Sequence, residues 1–126
     1  MIIRLTVSPV LPYERFDAWQ LSHALALEVY RSTRIWPSAE RFGLIFQARK
    51  AAFSVPGNIA EGSAKRGCAE FRRYLDISLG SLSELAYIFR LAVDLGMIAR
   101  EEYLRLEALR DRAGKALWGL YRSLRA

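Results

Sequence analysis

The side chains best suited to chemistry in this sequence are cations. Lys65, Arg66, Arg72 and Arg73 lie close together, and Arg105, Arg112, Lys115 and Arg122 follow at intervals that predict a stripe along one side of a helix. Of the 19 basic residues sixteen are Arg, whose planar fork suits phosphate and carboxylate and stacks on rings. Set against 13 acidic residues they leave a net charge of +6, so a polyanion is the natural partner. The competing reading is a solvated surface, since Glu101–Arg105 and Asp111–Lys115 have the spacing of ordinary helix pairs.

Other chemistry is poorly provided for. Nucleophilic catalysis needs an activating base, and the one histidine, His23, belongs on or beside a packed helix face. The single Cys68 sits at a polar turn and cannot form an intramolecular disulfide. There is no His pair, no Cys pair and no Glu-x-x-His, so Glu28, Glu61, Glu84 and Glu107 make a weak metal set. No glycine-rich loop follows a strand. The expectation is a protein that is not an enzyme and uses no cofactor or metal.

The elements that carry these residues read as helices throughout. Residues 1–15, with Pro9 and Pro12, are expected to form an extended or disordered arm ahead of one domain over 16–126. Asp17 is the expected cap of a first helix bearing Trp19, Leu25, Ala26, Leu27, Val29 and Tyr30 and ending near Trp36, before Pro37. Ser38 is the expected cap of a second helix through Phe42, Ile45, Phe46, Arg49, Ala52, Phe53 and Ile59, kinked or broken at Pro56-Gly57. A third helix is predicted from Ala69 to Asp94, with Phe71, Leu75, Ser78, Leu82, Leu85, Phe89 and Ala92 on its buried stripe and Gly96 as a left-handed cap. A fourth runs from Arg100 to about Leu124 on Tyr103, Leu106, Leu109, Ala113, Leu117 and Leu120. Short links make sequential helices antiparallel, which gives an all-α, up-down-up-down four-helix bundle. No apolar run is long enough to span a membrane, and the amino terminus has no signal-peptide pattern, so a cytoplasmic location is expected.

Several polar residues interrupt the apolar pattern. Asn58, just after Pro56, can bond backbone groups that the proline leaves unpaired. Glu61 closes the second helix among small residues, and Glu84 follows Gly80 beside core leucines. A partly buried Glu84 would need a cation, and Arg49 is the candidate. The favoured role for this group is structural, fixing helix register.

On these residues a resemblance becomes visible. Phe16-Asp17-Ala18-Trp19, Trp36-Pro37-Ser38-Ala39-Glu40-Arg41-Phe42-Gly43-Leu44, Asn58-Ile59-Ala60-Glu61-Gly62 and Gly80-Ser81-Leu82-Ser83-Glu84-Leu85, in this order, resemble the bacterial four-helix-bundle family encoded within intervening sequences of 23S ribosomal RNA genes. The resemblance covers about residues 16–98. It implies a ring-like homopentamer, and a relationship to the accessory proteins of diversity-generating retroelements, which are basic pentamers that bind nucleic acid and a reverse transcriptase. It carries over no catalytic residues.

The resulting expectation is a basic homo-oligomeric adaptor for structured RNA or an RNA–DNA intermediate, with a reverse transcriptase as a candidate partner. The alternative is a protein-interaction or ribosome-associated module, using aromatics such as Trp36, Trp118 and Tyr121. A nuclease is the least favoured reading.

Overall fold

The computed structural model describes residues 11–125, which form four α-helices and three short 3-10 turns and contain no strand. We number the helices α1 (Asp17–Ser32), α2 (Leu44–Ser63), α3 (Cys68–Asp94) and α4 (Arg100–Ser123). The main packing partners are α1 with α2, α2 with α3, α3 with α4, and α4 with α1. Short links and this cyclic set of neighbours make an up-down-up-down bundle.

The helix ends follow local chemistry with some shifts. Phe16 flanks α1 and its carbonyl accepts from Trp19 and Gln20, so Asp17 is not the cap but sits in the first turn, where its charge still suits the dipole. The first helix also ends earlier than expected. Thr33–Ile35 tighten into a 3-10 turn, and the Thr33 hydroxyl donates to the Val29 carbonyl at 2.8 Å. Ser38 begins another 3-10 turn rather than capping α2; the N-cap position is Gly43, and the Glu40 carboxylate, three residues earlier, accepts from the Leu44 N–H at 2.9 Å. Gly96 has φ 75°, the left-handed conformation expected after α3, and Gly67 at φ 83° turns the chain into α3.

Of the expected extended arm, residues 1–10 lie outside the described residues. Pro12–Arg15 are not extended: they form a 3-10 turn that packs on α1 and α2, with Tyr13 edge-on to Trp19 at 5.2 Å.

The core is built from Leu25 and Val29 of α1, Val55 and Ile59 of α2, Leu75, Leu85 and Phe89 of α3, and Leu106 and Leu117 of α4. The expected stripes of α3 and α4 hold their centre. The faces of α1 and α2 are turned. On α1 Ser22 and Ser32 go inside, while Leu27 and Tyr30 face out. On α2 the small Ala48, Ala51 and Ala52 face inward and Phe42, Phe46 and Phe53 outward. Alanines on the inner face let α2 approach its neighbours closely, and this close approach leaves no room inside for the phenylalanines. Trp36 is buried, its indole N–H reaching the Ser32 hydroxyl at 3.2 Å, so it is not a surface aromatic.

Pro56 does not break α2, which is helical from Leu44 to Ser63 with the proline buried inside it. Proline has no N–H for the Ala52 carbonyl, but Asn58 does not repair that loss. Its amide donates to the Ser54 carbonyl and hydroxyl, both at 2.9 Å. The Ser81 hydroxyl joins Ser54 at 2.8 Å, and Ser78 donates to the Val55 carbonyl at 2.8 Å, so a small polar seam ties α2 to α3.

Candidate nucleic-acid interface

The alternating helix order brings the end of α2, the start of α3 and the end of α4 to one end of the bundle. Lys65 and Arg66 are exposed on the α2–α3 turn. The Lys65 ammonium and the Arg73 guanidinium both lie over the Tyr74 ring, at 5.4 and 5.5 Å. Arg73 is also paired with Glu70 at 2.7 Å, which raises its pKa and lowers that of Glu70.

Arg72 occupies a different setting. It is half-buried against α4, with its guanidinium 4.5 Å from the Tyr121 ring centre. Its Nε is buried and has no hydrogen-bond partner. Arg72, Trp118, Tyr121, Arg122, Leu124 and Arg125 line a hollow of about 370 Å³. Three guanidinium groups and two aromatic rings meet there, and no carboxylate lines it. Trp118 and Tyr121 lie 5.2 Å apart, inclined at 50°. Such a cradle can hold a phosphate by charge and a base by stacking.

The expected α4 stripe is divided by the structure. Arg105 and Arg112 turn toward α1 and line a hollow with Glu28 and Arg31, whereas Arg122 joins Arg72 on the other side. Arg105 is engaged by two carboxylates: it donates to Glu102 at 2.9 Å and to Glu28 at 2.6 Å. The expected Glu101–Arg105 pair is therefore replaced by Glu102–Arg105. The Arg105 contact, reinforced by Arg31, holds the Glu28 carboxyl below its usual range, and Arg105 does the same for Glu102. Lys115 pairs with Asp111 at 3.1 Å, as its spacing predicts. Among the described residues, Lys65, Arg66, Arg72, Arg112, Arg122 and Arg125 have no carboxylate within salt-bridge distance.

The expected Arg49–Glu84 contact is absent. Arg49 Nε donates to the Thr33 hydroxyl at 2.8 Å, with its guanidinium 5.0 Å from the Tyr30 ring, and so it ties α2 to the end of α1. Glu84, Glu61 and Gly80 are all exposed, so Glu84 needs no buried cation. His23 stacks on Trp19 at 4.7 Å at the surface of α1. Among the described residues, no three His, Cys, Asp or Glu side chains are grouped to hold a metal, and no helix is long and apolar enough to cross a membrane.

Sequence reasoning found Arg72 and Arg122 but placed them in separate patches, and it missed Arg125. The available signal was the 3-4 spacing of Trp118, Tyr121, Arg122 and Arg125, which puts rings and cations on one side of the α4 terminus. No curated protein matches the chain significantly. The family model described as 23S rRNA-intervening sequence protein matches residues 14–119, most of the bundle, and the chain belongs to that family.

Proposed function

We propose that this protein is a non-catalytic, cytoplasmic adaptor that assembles with copies of itself and binds nucleic acid, structured RNA or an RNA–DNA intermediate, through the basic end of its bundle. The observation that carries this reading is the carboxylate-free cradle of Arg72, Arg122 and Arg125 around Trp118 and Tyr121. Cations at the end of α4 also suit the negative pole of that helix, so the sequence can keep them there without a paired acid. Lys65 and Arg66 extend the same end across the turn. Contacts of this kind are to phosphate, with stacking as a sequence-tolerant addition. The family membership agrees with an RNA setting. Assembly as a pentamer, and service to a reverse transcriptase, are the finer form of the proposal and follow from the resemblance.

Fluorescence anisotropy with a labelled hairpin RNA across a salt series tests it. Arg72→Ala combined with Arg122→Ala and Arg125→Ala should weaken binding and flatten the salt slope, by about 0.7–0.9 log units per log unit of salt for each phosphate that the variant no longer neutralises. Equal affinity and slope in wild type and variant would remove the cradle from the function. Absence of binding by wild type at low salt would favour the second reading, a protein-interaction module, which rests on the exposed aromatic faces of α2 and α3.

A further inference from the structure

The hollow around Arg72 fits a smaller and more densely charged ligand than a duplex. Its volume of about 370 Å³ lies near the lower end of ordinary ligand pockets and suits a single nucleotide. Its rings are not spent on each other: Trp118 and Tyr121 are inclined at 50° and do not stack, and the Arg72 guanidinium covers one face of Tyr121. Trp118 is 48% exposed and keeps open ring surface. A base paired inside a duplex is already stacked on both sides, so the base that Trp118 can take is an unpaired one.

Charge narrows the ligand further. Arg72, Arg122 and Arg125 bring three positive charges to this small volume. The acidic side chains described at this end of the bundle are Glu14, Asp17, Glu61, Glu70 and Asp76, and none of them lines the hollow. Glu70 is held by Arg73, and Asp76, one turn along from Arg72, makes no ion pair with it. Residues 112–126 include no Asp or Glu. The hollow between α1 and α4 differs: Glu28 lines it and already engages Arg31 and Arg105 there. The buried Nε of Arg72 still lacks an acceptor, and a buried donor without one is costly. An internal phosphodiester brings a single negative charge, whereas a terminal phosphate brings about −1.5 to −2 at pH 7 and three strong acceptor oxygens.

We infer that the cradle takes the end of a nucleic-acid strand: a terminal phosphate among Arg72, Arg122 and Arg125, with the adjoining unpaired base on Trp118. This rests on the nucleic-acid reading above and names the part of the ligand that enters. A guanidinium fork can bond two phosphate oxygens at once, so the three Arg side chains can surround a group that a diester inside the strand would match less well. Lys65 and Arg66, on the turn at the same end, remain for the phosphates farther along the strand.

Fluorescence anisotropy with one short single-stranded RNA, labelled internally, tests this. The strand is prepared with a 5′ phosphate, with a 3′ phosphate, and with hydroxyls at both ends, and the hairpin RNA is run beside it. Wild type should bind at least one phosphorylated form about tenfold tighter than the hydroxyl form, and the form preferred identifies which strand end enters. The combined Arg72→Ala, Arg122→Ala and Arg125→Ala variant should lose that preference. Trp118→Ala, with circular dichroism to verify folding, should weaken single-strand binding roughly tenfold and leave the salt slope unchanged, because stacking releases no counterions. Equal wild-type affinity for phosphorylated and hydroxyl ends would overturn end recognition while leaving nucleic-acid binding in place. A preference that survives in the triple variant would overturn the cradle as its site, and an unaltered Trp118→Ala would overturn the stacked base. Absence of wild-type binding to the hairpin and to every strand at low salt would overturn the nucleic-acid reading itself.

Discussion

Gly62→Ala is expected to destabilise the bundle, although alanine is the better helix former. Gly62 is buried within the last turns of α2. A Cβ at this position would stand 2.6 Å from the Tyr74 Cβ and 3.0 Å from the Phe71 Cδ1 of α3. Ordinary carbon contacts are about 3.5–4.0 Å, so roughly 1 Å of separation is required. The Tyr74 Cβ is fixed to the α3 backbone and cannot swing away as a side-chain tip would. Overpacking of this kind costs about 1–3 kcal/mol. The helix-propensity gain is about 1 kcal/mol at mid-helix and less near an end. The net expectation is a loss of about 1–2 kcal/mol, or a Tm lower by about 5 °C for a domain of this length. Tyr74 also carries Lys65 and Arg73 on its ring, so the displacement moves the basic turn as well. Gly119→Ala is the control: Gly119 is exposed within α4 with nothing within 4 Å of its Cβ position, and alanine there should stabilise by about 0.5–1 kcal/mol. Thermal and urea unfolding at one protein concentration measures both, since assembly would otherwise shift the midpoint. A Gly62→Ala variant as stable as wild type would refute the close-approach argument.

Three further outcomes are expected. Arg105→Ala should cost about 0.5–1 kcal/mol at neutral pH, a modest figure because the pair is partly solvated. Glu28 and Glu102 titrate below the ordinary 4.5 when folded, so their contribution is present above that pH and lost as pH falls through their lowered values. Urea unfolding of wild type and Arg105→Ala should accordingly converge as pH falls well below the ordinary carboxylate range, and a gap that persists there would argue against the linkage. Asn58→Leu should cost only about 1 kcal/mol, because Ser54 keeps its Ser81 partner; a loss of several kcal/mol would mean the seam depends on Asn58. Ser78→Ala removes a buried hydroxyl bond between α3 and α2 and should cost about 1 kcal/mol in the same assay; no change would show that bond to be dispensable.

Local periodicity and punctuation determined a good deal by themselves. The stripe on α3 runs uninterrupted at 3-4 spacing, and the left-handed Gly96 after it follows from the same local logic, because a helix end needs only its own neighbours to be recognised. The α4 stripe and the up-down order follow as directly from short links. Where two faces of one helix were both apolar, periodicity could not choose between them. On α2, Phe42, Phe46 and Phe53 compete with Ala48, Ala51, Ala52 and Val55, and only the closeness of α1 and α3 decided that the small residues go in. Charge pairing was equally non-local. Arg49 found Thr33 rather than Glu84, and Arg105 is shared between Glu102 on its own helix and Glu28 across the chain. The cradle of Arg72 and Arg122 likewise comes from segments that meet only because α3 begins where α4 ends. Sequence spacing reports neighbours on one helix, whereas a site assembled across helices depends on how their faces are turned, and packing sets that.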